Sequence, residues 1–260
     1  MRLFAIVTLP LLVTACVPSG DSPAKGRKAE TTQWAEDPNV LRAVYEEGFE
    51  GRLPFDAGIS ASDTGVRPQA NDYGLGADWH TTAAPGIWRV QGGRLCGQKA
   101  YNHGVWLRRP IPANARIEFD AVSDSTIGDI KAELWGDGKS YAKGNSYVEA
   151  TSYIMLYGAW ANTQHGIARI NEHGNDRSLI KVDLGSGDKK NLPVARGQLY
   201  HFRIERTDGK TVRMYVDDTL IANFNDATPL VGVGHDHVGF NDWETPVCFD
   251  NVRITPNPKL

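Results

Sequence analysis

The 260-residue sequence predicts an all-β protein, an antiparallel β-sandwich with a short N-terminal helix. Three observations lead there. Apolar residues recur with a period of two through most segments after Phe49, the spacing of a half-buried strand. Two such runs, YHFRIER and VRMYVDD, meet across Asp208-Gly209, a dipeptide that marks tight hairpins. Gly, Asn and Asp punctuate the remaining runs, and no helical period intervenes.

The chain opens on Arg2 and an apolar run from Leu3 to Val13, too short for a mature membrane span and built like a secretory signal. Val13-Thr14-Ala15-Cys16 resembles the lipobox of bacterial lipoproteins. That resemblance implies removal of residues 1–15 and acylation of Cys16. Several acyl chains would anchor firmly, since each buried methylene adds ~0.8 kcal/mol. Val17, where an aspartate is absent, implies the outer membrane by analogy with enteric lipoproteins. Residues 16–32 are small, polar and charged and read as a flexible tether. Residues 33–260 fit a single domain, since β-sandwiches of roughly 200–250 residues commonly form one.

The whole chain carries 28 basic and 31 acidic residues, a net charge of −3. Loss of residues 1–15 removes Arg2 and no acid, leaving −4. So mild an acidic excess argues against a nucleic-acid partner and against a polybasic membrane patch. The expected membrane contact is through the lipid alone, on a monomer. Cys96 and Cys248 both lie in strand-like segments, and a disulfide or two buried thiols are both compatible with an exported chain.

Residues 37–44 alone suit a helix, with Asp37 as cap, Pro38 at the first position, and Val40, Leu41 and Val44 on one face. Next come the alternating runs. Ile117, Phe119 and Ala121 oppose Glu118, Asp120 and Val122; Ala132 and Leu134 oppose Lys131, Glu133 and Trp135. In YIMLY, Ile154 and Leu156 suit the core, with Tyr153, Met155 and Tyr157 opposite. A returning strand from His165 to His173 turns Ala168 and Ile170 inward and His165, Arg169, Asn171 and His173 outward. This register also points Glu172 inward. Either it has a buried partner such as Arg177, or the strand has already ended.

On these faces Glu133, Trp135, Tyr157, Arg169, Asn171 and His173 gather into one surface. Aromatic rings cover the apolar face of a sugar, while amide, carboxylate and guanidinium groups bind its hydroxyls. Arg169 could also pair a uronate carboxylate with both arms. The same surface admits a lyase, with Arg169 and Asn171 neutralising the carboxylate and Tyr157 and His165 moving protons. His235 and His237 flank Asp236, but no third zinc ligand is identifiable.

Phe49-Glu50-Gly51, then Trp88, Val90, Gly93 and Leu95, and a closing Phe249-Asp250-Asn251-Val252-Arg253-Ile254 resemble the concanavalin A-like lectin/glucanase superfamily. The resemblance spans about residues 45–255 and implies a jelly roll whose first and last strands pair. Tyr153 to Arg177 is also similar to the branch found in bacterial polysaccharide-utilisation clusters. Laminarinase-type members carry E-x-D-x-x-E, which Glu118 and Asp120 begin, but Ser123 stands where the acid/base glutamate belongs. Jelly-roll alginate lyases carry Q-[IV]-H, whereas Gln164 and His165 here are adjacent. The superfamily also implies a structural calcium, for which Glu47, Glu50 and Asp250 are candidates. The expected function is a lipid-anchored, extracytoplasmic protein binding a poly- or oligosaccharide on the concave sheet. A polysaccharide lyase or glycoside hydrolase on the same face, and a structural envelope lipoprotein, are the alternatives.

Overall fold

A computed structural model describes residues 35–51 and 73–258. All belong to the unit Trp34–Leu260. The expected signal peptide, Cys16 and the expected tether lie outside the described residues.

Among the described residues fifteen strands follow one another: β1 (Tyr45–Glu47), β2 (Trp79–Thr81), β3 (Trp88–Gln91), β4 (Arg94–Gly97), β5 (Val105–Leu107), β6 (Ala115–Ser123), β7 (Ile130–Gly136), β8 (Tyr153–Gly158), β9 (Gln164–Arg169) and β10 (Arg177–Lys181). The series ends with β11 (Leu199–Arg206), β12 (Thr211–Val216), β13 (Thr219–Asn225), β14 (His237–Asn241) and β15 (Val247–Pro256). They build two antiparallel sheets. One has eight strands in the order β13-β12-β11-β6-β15-β4-β3, with β1 also on β15; the other has seven, β10-β9-β8-β7-β14-β5-β2. The chain is therefore an almost all-β sandwich, and its first and last strands pair as the resemblance implied.

Between the sheets lies one apolar core. Phe119 and Phe249 of the eight-stranded sheet meet Phe240 of the other, with Phe240 stacked 4.1 Å from Phe249 and edge-on to Phe119 at 5.0 Å, and Phe202 stacks on Phe119 at 5.0 Å. Alternation in β6 is as read: Ile117, Phe119 and Ala121 are buried while Glu118 and Asp120 are half-buried on the outer face. The β11–β12 hairpin likewise turns through Asp208-Gly209 and buries Phe202, Ile204, Val212, Met214 and Val216.

The short N-terminal helix does not form. Asp37 Oδ1 accepts the Asn39 amide at 2.7 Å, and the Asp37 carbonyl accepts Val40 N–H. The Leu41 N–H then bonds to the Pro110 carbonyl, so the helical ladder stops after one turn. Among the described residues the helical segments are a short 3₁₀ turn and Ala159–Asn162, within which Trp160 and Ala161 are left-handed.

Cys96 and Cys248 are disulfide-bonded, directly opposite each other on β4 and β15. The bond spans 152 residues of sequence. Closing so long a loop restricts the unfolded chain by up to about 5 kcal/mol in the chain-entropy model. A Cys96→Ser/Cys248→Ser variant is therefore expected to melt on the order of 10–20 °C lower. Scanning calorimetry of the oxidised protein against this variant checks it, and equal melting temperatures would refute it.

Candidate functional site

Every residue of β7 and β8 is buried, so the seven-stranded sheet is covered on both faces at its centre. Tyr153, Met155, Tyr157 and Ile167 point into the inter-sheet core. Ile154, Leu156 and Ala168 point the other way, into a second, smaller cluster with Ala142, Tyr147, Ala150 and Ala159. The two faces of β8 and β9 are thus the reverse of those read from alternation. Both sets are apolar, and period two separates them without saying which side another layer covers.

That reversal relocates the predicted surface. Tyr157 is buried and stacks 4.3 Å from His165. Arg169 donates from Nε to Asp226 at 2.8 Å and from a terminal nitrogen to the Thr228 carbonyl at 3.0 Å, binding β9 to the loop after β13. His165 accepts the Gly158 N–H at Nδ1 and contacts the Leu192 carbonyl through Nε2, which fixes the neutral tautomer. Burial also lowers its pKa. Trp135 sits at a β-bulge with φ 53°, and the bulge swings its ring into the core against Arg206. Trp135, Tyr157 and His165 are buried and the partly exposed Arg169 is engaged by Asp226 and Thr228, so a sugar platform of Trp135, Tyr157 and Arg169 is corrected.

Glu133 does point to the outer face of its sheet, but it is fully buried there. Tyr147 and Ser152 donate to one carboxylate oxygen and Asn241 to the other, each at 2.8 Å. Burial nevertheless pushes its pKa up to about 8, against those hydrogen bonds. Glu118 and Asp120 lie on the outer face of the opposite sheet, where Asp120 is 2.8 Å from both His201 and Asn251. Glu47 Oε1 accepts the Phe49 amide, while Asp250 faces Arg94 at 3.8 Å. Among the described residues, no three His, Cys, Asp or Glu side chains are grouped to hold a metal ion.

An open trough exists elsewhere on the seven-stranded sheet. It has a volume of 290 Å³, and its lining includes Asp129, Lys131, Trp160, Glu172, His173, Trp243 and Glu244. Asn145, Trp243 and Glu244 also wall an adjoining hollow of 510 Å³ that bears Tyr101 and His103. Tyr101 packs edge-on to Trp243 at 5.1 Å, and His103 stacks on Tyr141 at 4.6 Å. Aromatic rings therefore recur along the whole length.

Local backbone geometry places each wall. β9 ends at Arg169, Ile170 adopts φ 64°, and Glu172 then folds over the sheet. Its partner is Lys131, at 3.2 Å; Arg177 reaches only its backbone carbonyl. His173 lies 3.1 Å from Glu172 and 5.8 Å from the Trp160 ring. Asn171 forms the turn beneath it by accepting the His173 amide at 2.9 Å. Trp160 stands on the left-handed turn Trp160–Asn162, a conformation that costs non-glycine residues about 1 kcal/mol or more each. Asn162 holds this turn by donating to the Val194 carbonyl and accepting the Val194 amide. Gly128 and Gly158 approach too closely for side chains: a Cβ on Gly128 would fall 2.6 Å from the Gly158 oxygen.

The floor is a buried ionic cluster. Lys131 Nζ contacts Glu172 and Asn102 at 3.2 Å and Asp129 at 3.6 Å. Burial alone would lower the lysine pKa, but attraction from Asp129 and Glu172 raises it overall. Asp129 is pushed up by burial against the pull of Lys131. Neighbouring Asp242, which accepts the Ala100 amide at 3.0 Å, is pushed up to about 7 by burial with help from the Asp129 charge. Asn102 is fully buried, gives its oxygen to Lys131, and has no partner for its nitrogen. Sequence reading missed Asp129, Lys131, Trp160 and Trp243. His173 was expected from the sequence as a ligand contact and does line the trough, and Glu172 carried a signal because an acid at an inward position demands a partner.

No family model and no curated protein matches the chain. Solved structures do. A Bacillus subtilis protein described as of unknown function with a galectin-like fold is 12% identical, with 85% of this chain and 97% of that one covered, at a TM-score of 0.51. A structure described as a native glycosidic hydrolase is 9% identical, covering 85% and 99%, at 0.50. A carbohydrate-binding module from Bacillus subtilis is 15% identical, covering 69% and 96%, at 0.49. The first two show a shared jelly-roll sandwich.

Replacing Lys131 by Met leaves two buried carboxylates facing each other. It is expected to cost about 3–5 kcal/mol at neutral pH. Urea unfolding would measure this, and a loss below about 1 kcal/mol, within the range of surface pairs, would contradict it. Glu133 predicts a pH dependence. Its folded pKa of about 8 lies above the ordinary 4.5, so between those values the folded state holds a proton that the unfolded state has lost. Its contribution is therefore full below pH 4.5 and declines as pH rises through about 8. Glu133→Gln, which cannot ionise, should flatten that decline in melting temperature; an unchanged slope would assign it to other groups.

Proposed function

We propose that this protein is a lipid-anchored, extracytoplasmic carbohydrate-binding jelly roll of the concanavalin A-like kind, and that its ligand lies in the aromatic trough. The observation carrying this reading is the run of Trp160, Trp243 and Tyr101 along one groove with polar groups between them. Flat rings cover the apolar face of a pyranose, and charged and amide groups along the same line take its hydroxyls. The groove is long enough in this sense that two hollows share a wall, which suits an oligosaccharide over a monosaccharide. A fold held in common with a glycosidic hydrolase accords with a saccharide ligand.

Export is supported by the signal-like residues 1–15 and Cys16, and by the Cys96–Cys248 disulfide, a bond that persists in oxidising compartments. The acyl chains on Cys16 tie the domain to the envelope, with the outer membrane as the site.

A second reading, a polysaccharide-active enzyme, is favoured by one feature. Asp129 and Glu172 flank Lys131 on the trough floor, and paired carboxyl groups are what glycoside hydrolysis requires. These two, and not Glu118, Asp120, Tyr157, His165 or Arg169, would then carry the chemistry.

Titration calorimetry against a panel of neutral and charged oligosaccharides tests the first reading. Trp243→Ala is expected to weaken binding about tenfold or more, from stacking worth roughly 1.5 kcal/mol, while leaving the melting temperature nearly unchanged. Absence of binding across the panel would refute it. Release of shorter products, abolished in Glu172→Gln, would instead establish turnover.

A further inference from the structure

The charges of the trough are unequal. Asp129, Glu172 and the exposed Glu244 line it against one lysine, Lys131, with His173 3.1 Å from Glu172, and Lys143 of the adjoining hollow is taken by Glu149 at 2.8 Å. All three contacts of the Lys131 ammonium are inside the floor, to Glu172, Asp129 and Asn102, so none is left to neutralise an anionic ligand. Arg169, whose guanidinium would suit a uronate, is held by Asp226 and Thr228 instead. Two buried carboxylates share one ammonium, and Glu244 is exposed beside them with no ion pair among the described residues. The indole rings of Trp160 and Trp243 stand on the same lining, and indole faces attract cations as well as sugar C–H groups.

We propose that the trough takes an amino sugar, a saccharide bearing a free ammonium, and discriminates against uronates. This rests on the carbohydrate reading above and deepens it. The surplus carboxylate charge compensates the ammonium, and the indoles cover the ring. A uronate would instead bring like charge against Glu172 and Glu244, which costs affinity without any compensating donor.

The test compares three short oligomers of matched length on the intact domain: β-1,4-linked glucosamine, its fully N-acetylated counterpart, and oligogalacturonate. Acetylation removes the positive charge and keeps the ring, so it isolates the proposed interaction. Binding of the glucosamine oligomer is expected to exceed that of the acetylated one by about tenfold or more, the scale of a charge-assisted contact. Oligogalacturonate is expected not to bind. Glu244→Gln should weaken binding of the glucosamine oligomer several-fold more than that of the acetylated one, and Trp243→Ala should weaken both. General attraction of a cationic sugar to an acidic surface would survive Trp243→Ala, and that result would overturn the proposal. Equal affinity for acetylated and free oligomers, or preference for the uronate, would overturn it while leaving the carbohydrate reading intact. Failure of every sugar to bind would remove both.

Discussion

Burial of β7 and β8 on both faces is the constraint from which the rest of this structure follows. On one side Ala132, Leu134, Tyr153 and Met155 pack against the eight-stranded sheet. On the other, the segment after β7 brings Tyr147 and Ala150 down over Ile154 and Leu156. The cover is tied by backbone bonds, among them Glu172 N–H to Tyr147 and Ala142 N–H to Asn102. Polar groups trapped beneath it must then find partners, and apart from the Asn102 nitrogen those around Glu133 and Lys131 do. Glu133 takes three donors, and Lys131 takes two carboxylates and an amide oxygen. The trough is the part of this face that the cover leaves open.

Electrostatics divides the two polar clusters under that cover. Glu133 has hydrogen-bond donors but no cation, so burial wins and its carboxyl stays protonated to about pH 8. Lys131 has the opposite balance, because nearby carboxylates outweigh its desolvation. One cluster is sealed and structural. The other opens to solvent through Asp129, Glu172 and the indoles, where a ligand can use it.

The sandwich was legible because its signals are local. Ile117, Phe119 and Ala121 alternate with polar residues that one solvated sheet face permits, and Asp208-Gly209 has little use except as a turn. The candidate site was not legible for the same reason inverted. Ile154 and Tyr153 are both apolar enough to be core, and both are core, on different sides. Alternation therefore offered two faces and no means of choosing between them. Trp135 was misplaced by a bulge, which leaves no mark in a period-two pattern. Asp37 and Pro38 do start a helical turn, and a contact from Pro110, distant in sequence, ends it.

Composition, periodicity and turn chemistry by themselves determined an all-β sandwich, since these depend on neighbours in the chain, while the pairing of its first and last strands was implied only by the superfamily resemblance. Tertiary structure alone decided which face of β8 and β9 meets the second sheet and that Cys96 bonds Cys248. It also turned Arg169 into a loop clasp and brought Glu172 to Lys131, 41 residues apart. The physical reason is that burial on the far side of a sheet is imposed by a covering segment elsewhere in the chain. No pattern within a strand records whether such a cover exists.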